Sequence, residues 1–161
     1  MTLPIKEIHL TDLMSNRVFI SPPDLPKEQI FGKLIKLICQ AEPRLDFAEI
    51  VKKILAREAE LSTTLDCGLS LPHVRLDGID RAWAAVGVLP QALRDRNGYY
   101  MKAVFLFITP LRSEFFQTHL HILSSAVELF SPAFMEKLSH CRDAEMASQM
   151  LAHADSTREM I

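Results

Sequence analysis

The sequence has no surplus of positive charge. Its 18 Lys and Arg stand against 20 Asp and Glu, for a net charge of −2. That balance offers no electrostatic attraction to nucleic acid or to an anionic membrane. No apolar run approaches the roughly 18 residues that a membrane-spanning helix requires. The opening stretch Met1-Thr2-Leu3-Pro4-Ile5-Lys6-Glu7 holds no signal-peptide core. Cysteine is scarce: Cys39, Cys67 and Cys141 are odd in number and match neither a zinc nor a CxxC spacing. Reduced thiols in a cytoplasmic protein are therefore expected. Cys39 falls in an apolar run and reads as core filler. Internal repeats and low-complexity segments are lacking too.

What is present describes an ordinary globular chain. Apolar residues make up 48% and charged residues 24% of the 161 positions, enough for one domain with a full hydrophobic core. A short helix is expected near Thr11–Met14, and Val18-Phe19-Ile20 reads as a strand stopped by Ser21-Pro22-Pro23. After Pro26, a residue tolerated at a helix start, Ile30, Leu34, Leu37, Ile38 and Ala41 recur at helical spacing up to Pro43. Asp46 and Glu49 form a capping-box-like pair for the next helix. Phe47, Ile50, Val51, Ile54 and Leu55 are its expected buried face, and Arg57-Glu58 stand at its end. Residues 59–68 read as a polar connection.

A strand is expected over Ala82–Leu89 and a turn at Arg94-Asp95-Arg96-Asn97-Gly98. Lys102–Thr109, KAVFLFIT, is a continuous apolar run and predicts a central strand buried on both faces, closed by Pro110. Three helices follow. Ser113 is expected to cap the first, with Phe116, Leu120, Leu123, Val127 and Phe130 as its apolar stripe. Ser131-Pro132 opens the second, with Phe134, Met135 and Leu138 inward. Asp143 caps the third, with Met146, Met150 and Leu151 as contacts, and residues 155–161 are expected to be a frayed tail. Helices alternating with strands around a two-sided central strand predict an α/β layered domain over residues 1–161, a mixed sheet with helices on both faces.

The stretch Gly68-Leu69-Ser70-Leu71-Pro72-His73 organises the rest. Leu69-Ser70-Leu71 alternates like a half-buried strand, and Pro72 ends it. His73 is thus expected at a strand end on a stiffened backbone, where an imidazole with one open nitrogen serves as a nucleophile. On local sequence alone an ordinary loop histidine is the simpler reading. His119 and His121, two apart on a helix, point about 200° away from each other and cannot share a site. His119 lies near a helix start just after the central strand, where α/β folds place ligands. A zinc site drawing on His73, His119 and Cys67 is a minor alternative. His9, His140 and His153 show no partner pattern.

Arg57-Glu58, Ser62-Thr63, Gly68 and Pro72-His73 together resemble the enzyme IIA family of the bacterial phosphotransferase system. The likeness is to its fructose/mannitol class and, more closely, to the nitrogen-regulatory branch. Arg57 stands sixteen residues before His73, as the family's pattern requires, and Thr118-His119-Leu120-His121 with Leu123-Ser124 is similar to its second histidine helix. The family's glycine-rich turn reads here Thr64-Leu65-Asp66-Cys67-Gly68, with only the last glycine kept, and Val74 stands where glycine usually follows the histidine. The resemblance implies a phosphoryl carrier that needs no metal or cofactor. His73 would accept the group from a phosphohistidine on a small HPr-like protein. Arg57, Ser62, Thr63 and His119 would surround it, Arg57 as a forked and always charged donor. A neutral imidazole is a competent nucleophile near pH 7, and a transferred phosphoryl group needs positive charge and N–H donors more than covalent machinery. The expected role is regulatory, towards a target or transporter subunit the sequence does not name. A sugar-specific component and a non-phosphorylated docking module, which the missing glycines favour, are the alternatives.

Overall fold

The structure, a computed structural model, describes residues 9–158. The stretch Met1–Glu7 and the last three residues of the expected tail lie outside the described residues.

The chain runs α1 (Leu10–Met14), β1 (Val18–Ile20), α2 (Lys27–Ala41), α3 (Phe47–Glu60), β2 (Leu69–Ser70) and β3 (His73–Leu76). It continues with β4 (Trp83–Arg94), β5 (Tyr100–Pro110), a 3-10 turn (Ser113–Phe115), α4 (Phe116–Leu129), α5 (Pro132–Leu138) and α6 (Ala144–Arg158). One mixed sheet has the order β1-β4-β5-β2, with β3 also pairing β5. β4 and β5 form an antiparallel hairpin around the predicted Asn-Gly turn, with Gly98 at φ +90°. β1 runs parallel to β4, and β2 and β3 run parallel to β5. The apolar run at 102–109 is the centre of the sheet: Ala103 to Thr109 are all buried.

Its alternation feeds two cores, since successive side chains of a strand point to opposite faces. Val104, Leu106 and Ile108 pack with Ile30, Phe31, Leu34, Ile50 and Ile54 of α2 and α3. Ala103, Phe105 and Phe107 pack with residues of α1, α4, α5 and α6, among them Met14, Ile122, Phe130, Leu138 and Leu151. The α/β layered architecture with helices on both faces is therefore the observed one.

Several local expectations change. β4 runs to Arg94 rather than Leu89, because pairing with β5 resumes at Leu93 beyond a register shift. Ser113 does not cap α4; it lies in the 3-10 turn, and α4 starts at Phe116 with no side-chain cap. The face that α4 buries is His119, Ile122, Ser125, Ala126 and Leu129. Phe116, Leu120 and Val127 of the expected stripe are 49%, 45% and 45% exposed. Small Ser125 and Ala126 lie on the buried face, and His119 finds a buried polar partner there. Phe47 and Met146 also remain exposed. Asp46 accepts the Glu49 amide at 3.2 Å, but the Glu49 carboxylate pairs forward with Lys53 instead of closing the box. Asp143 caps α6 by accepting the Met146 amide at 2.8 Å.

The frayed tail expected from Asp155 is helix as far as Arg158. Asp155 is 1% exposed and accepts the Thr11 amide at 2.9 Å and hydroxyl at 2.7 Å, with Arg158 as counter-ion at 2.9 Å. A buried carboxylate so satisfied fastens the last helix to the first.

Candidate functional site

Leu71-Pro72 interrupts the edge of the sheet without ending it. β2 pairs with Ala103 and Val104 of β5, and pairing resumes at His73, opposite Phe107. His73 is therefore the first residue of a further strand, not a loop residue. The proline contributes a carbonyl, which accepts the Phe107 amide at 3.1 Å. The turn into β2 needs its one retained glycine: Gly68 sits at φ +106°, in the left-handed region that side chains avoid. In the burial pattern of β3, Val74 and Leu76 enter the core under α2 and α3, and His73 and Arg75 face the other way, toward α4.

Two contacts fix the His73 ring. Its Nδ1 lies 2.6 Å from the Leu71 carbonyl oxygen. A carbonyl only accepts, so Nδ1 carries the proton and Nε2 keeps its lone pair. The ring stacks on Phe107 at 5.2 Å between centres, with 13° between planes. Burial lowers the proton affinity of His73 below the ordinary imidazole value. The Leu71 bond opposes that effect, Arg57 adds to it and Glu58 counters it. The ring is neutral at neutral pH.

His119 is 7% exposed, and its ring centre lies 5.1 Å from that of His73, at 60°. Its Nδ1 is 2.8 Å from the Thr109 hydroxyl, and its ring also touches Phe107 at 5.2 Å. The ladder explains this convergence. His73 lies opposite Phe107 and Arg75 opposite Thr109, and His119 reaches down from α4 onto the Phe107–Thr109 side. Burial first, then the nearby His73, Arg75 and Arg57, push the His119 proton affinity down to about 4. His121 faces elsewhere, with Nε2 3.3 Å from the Ser125 hydroxyl.

Arg57 stands in the last turn of α3, exposed, and acts electrostatically on both imidazoles. Ser62 and Thr63 are engaged in a polar cluster behind it. The Thr63 amide donates to Glu58 at 3.0 Å, and the Thr63 hydroxyl also donates to Glu58. The Ser62 hydroxyl donates to Asp95 at 2.5 Å and the Thr64 hydroxyl to the same oxygen at 2.6 Å. Lys27 bridges Glu58 at 2.7 Å and Asp95 at 2.8 Å. Burial acts to raise the Asp95 carboxyl, but bonds from Lys27, Ser62, Thr64 and the Arg96 amide hold it well below the usual carboxylate range. The cluster ties the end of α3, and so Arg57, to the start of α2 and to the β4–β5 turn.

Among the described residues no three His, Cys, Asp or Glu converge on a point able to hold a metal ion, the combination of Cys67 with the two histidines included. Cys39, Cys67 and Cys141 are free thiols. No helix of the described residues is long and apolar enough to cross a membrane. Sequence reasoning missed Arg75, Thr109, Lys27 and Asp95. The alternation His73-Val74-Arg75-Leu76 was the available signal for Arg75. Lys27 and Asp95 give none, because they meet only through the fold.

Residues 13–154 match the family described as phosphoenolpyruvate-dependent sugar phosphotransferase system, EIIA 2. A nitrogen regulatory protein of Pseudomonas putida is 31% identical over 68 residues, which cover 42% of this chain and 76% of that protein. A nitrogen regulatory protein of Pseudomonas aeruginosa is 24% identical over 142 residues, 86% of this chain and 91% of that protein. The crystal structure of the nitrogen regulatory protein IIA-Ntr from Neisseria meningitidis has the same fold. Its TM-score is 0.74 at 22% identity, covering 88% of this chain and 98% of that one. The chain thus belongs to the EIIA type 2 family of the phosphoenolpyruvate-dependent sugar phosphotransferase system, on its nitrogen-regulatory branch.

Proposed function

We propose that this chain is a regulatory phosphoryl carrier and that Nε2 of His73 is the acceptor atom. The observation that carries the reading is the 2.6 Å contact between His73 Nδ1 and the Leu71 carbonyl, which commits the proton to one nitrogen and frees the other. The donor is a phosphohistidine on an HPr-like carrier. The Nε2 lone pair attacks phosphorus, the N–P bond of the donor breaks, and its electron pair returns to the donor imidazole. A donor ring that enters protonated on its other nitrogen leaves as neutral imidazole. His73, neutral beforehand, becomes a phosphorylated imidazolium whose Nδ1–H still donates to Leu71. No net proton is taken up, and the positive charge that His73 acquires strengthens that hydrogen bond.

The surroundings suit this transfer. His119 is neutral at pH 7. With the Thr109 hydroxyl donating into Nδ1, its proton sits on Nε2, a donor for phosphoryl oxygens. Arg57 supplies the full positive charge that a dianionic group requires. Ser62 and Thr63 support the site by holding Glu58 and the end of α3, and their hydroxyls reach the phosphoryl group only by giving up those bonds. The cytoplasm, where such donors work, is the proposed location, and the receiver is a regulatory target or a transporter subunit.

One observation favours the docking-module alternative. Thr64 and Val74 are built into the structure where glycines would loosen it. Incubation with an HPr-like phosphodonor, followed by intact-mass measurement, separates the two. The expected result is a gain of one phosphoryl mass, absent in His73→Ala with the fold retained. Arg57→Ala and His119→Ala are expected to slow transfer without abolishing it. Labelling of His73→Ala, or no labelling of the wild type, overturns the proposal.

A further inference from the structure

Arg75 stands two residues after His73, on the same face of β3. Its partner across the ladder is Thr109, whose hydroxyl holds His119. Its Nη2 donates to the Pro110 carbonyl at 3.0 Å and to the Arg112 carbonyl at 2.8 Å. Pro110 is the last residue of β5, and Arg112 immediately precedes the 3-10 turn that opens into α4. The guanidinium carbon also lies 5.8 Å from the centre of the Phe116 ring, at the first residue of α4. Nε of Arg75 is buried with no hydrogen-bond partner, so the side chain is not placed to complete its own bonding.

We infer that Arg75 is a positioning residue of the phosphoacceptor site. By bridging two carbonyls it sets the turn from β5 into α4, and with it the place of His119 opposite His73. The inference rests on the phosphoacceptor reading above and deepens it. The groups that act on His119 are His73 and Arg75 from β3 and Arg57 from α3. All three are cations or can become cations, so each opposes a proton on His119. With the Thr109 hydroxyl donating into Nδ1, a neutral His119 keeps an Nε2–H to offer. Protonation of Nδ1 would reverse that hydrogen bond and require the hydroxyl to accept. Lysine carries the charge of arginine but lacks the planar fork that spans two carbonyls.

The test uses Arg75→Gln and Arg75→Lys, with two readouts: NMR titration of the His119 ring, and the rate of phosphoryl transfer from an HPr-like donor. Arg75→Gln is expected to move the His119 titration up from about 4 toward the ordinary value and to slow transfer by about ten- to a hundredfold, the usual result of misplacing a group beside the reacting atoms. Arg75→Lys is expected to keep the titration low and still transfer slowly, because charge is retained and the bridge is lost. An unchanged titration or an unchanged rate in Arg75→Gln overturns the inference, as does full transfer by Arg75→Lys. Should Arg75→Gln fail to fold, Arg75→Lys decides alone. The titration is read on unphosphorylated protein. A wild type that takes no phosphoryl group therefore defeats the carrier reading, and an unshifted His119 in Arg75→Gln defeats this one.

Discussion

His119 holds its proton far less tightly than free imidazole does, and that difference ties stability to pH. Its titration lies near 4 in the fold, against about 6.5 in an unfolded chain. Between these values the unfolded chain binds a proton that the folded chain refuses. Stability therefore rises with pH across the window and is complete above about 6.5. Acidification from neutrality to pH 4 is expected to remove on the order of 2–3 kcal/mol through this residue. His73 is shifted in the same direction and adds a contribution of the same sign. Urea unfolding across pH 4 to 7 checks this. His119→Asn is expected to reduce the slope, with the remainder due to His73 and, near pH 4, to the Asp95 carboxylate, and a slope identical to wild type contradicts the buried, neutral imidazole. Because burial lowers the proton affinity of His73, the loss of phosphoryl transfer on acidification is expected at a lower pH than an ordinary imidazole would give.

Among the elements, β3 departs from the sequence pattern of the family at Val74. Val74, where glycine is usual, is 7% exposed and packs in the core beneath α2 and α3. Read from sequence alone, the missing glycines look like lost backbone freedom at a phosphate site. In the fold Val74 fills space on the face away from His73, and Thr64 donates to Asp95. Val74→Gly is accordingly expected to cost about 2–4 kcal/mol, from the cavity and from the added freedom of the unfolded chain, with no gain in transfer rate. Denaturation midpoints and a transfer time course measure both. A variant that is equally stable and transfers faster would restore the glycine argument. Elements with a strong period were legible: α2, α3, the two-sided β5 and the cap at Asp143. β3 was not, because Pro72 signalled a stop and the short alternation after it carries a histidine and an arginine on its outward face. The inward face of α4 was not legible either. Its buried residues include His119, Ser125 and Ala126, whose side chains read as polar or small, and the large apolar ones at 116, 120 and 127 point out.

Across the molecule, the site lies where an edge strand, the end of α3 and the start of α4 meet, and distant contacts keep them together. Lys27 joins α2 to Glu58 of α3 and to Asp95 of the β4–β5 turn. Asp155 of α6 holds Thr11 of α1. Such buried ions are stable only as complete sets, since removing one partner strands the others. The spacing of Arg57, Ser62-Thr63, Gly68 and Pro72-His73, rather than the local sequence, pointed to His73 as the proposed acceptor, and the helical spacing indicated that His119 and His121 could not act together. Nothing local linked Lys27 with Asp95 or Arg75 with the start of α4, because only the folded sheet brings them into register. Together these contacts hold His73 with Nδ1 protonated against the Leu71 carbonyl and Nε2 free, the atom proposed to take phosphorus. The most direct test is nitrogen–phosphorus NMR on the protein carrying 15N-labelled histidine, after reaction with an HPr-like phosphodonor. The account predicts phosphorus bonded to Nε2 of His73, with Nδ1 still protonated. Phosphorus on Nδ1, or on any other residue, would contradict it.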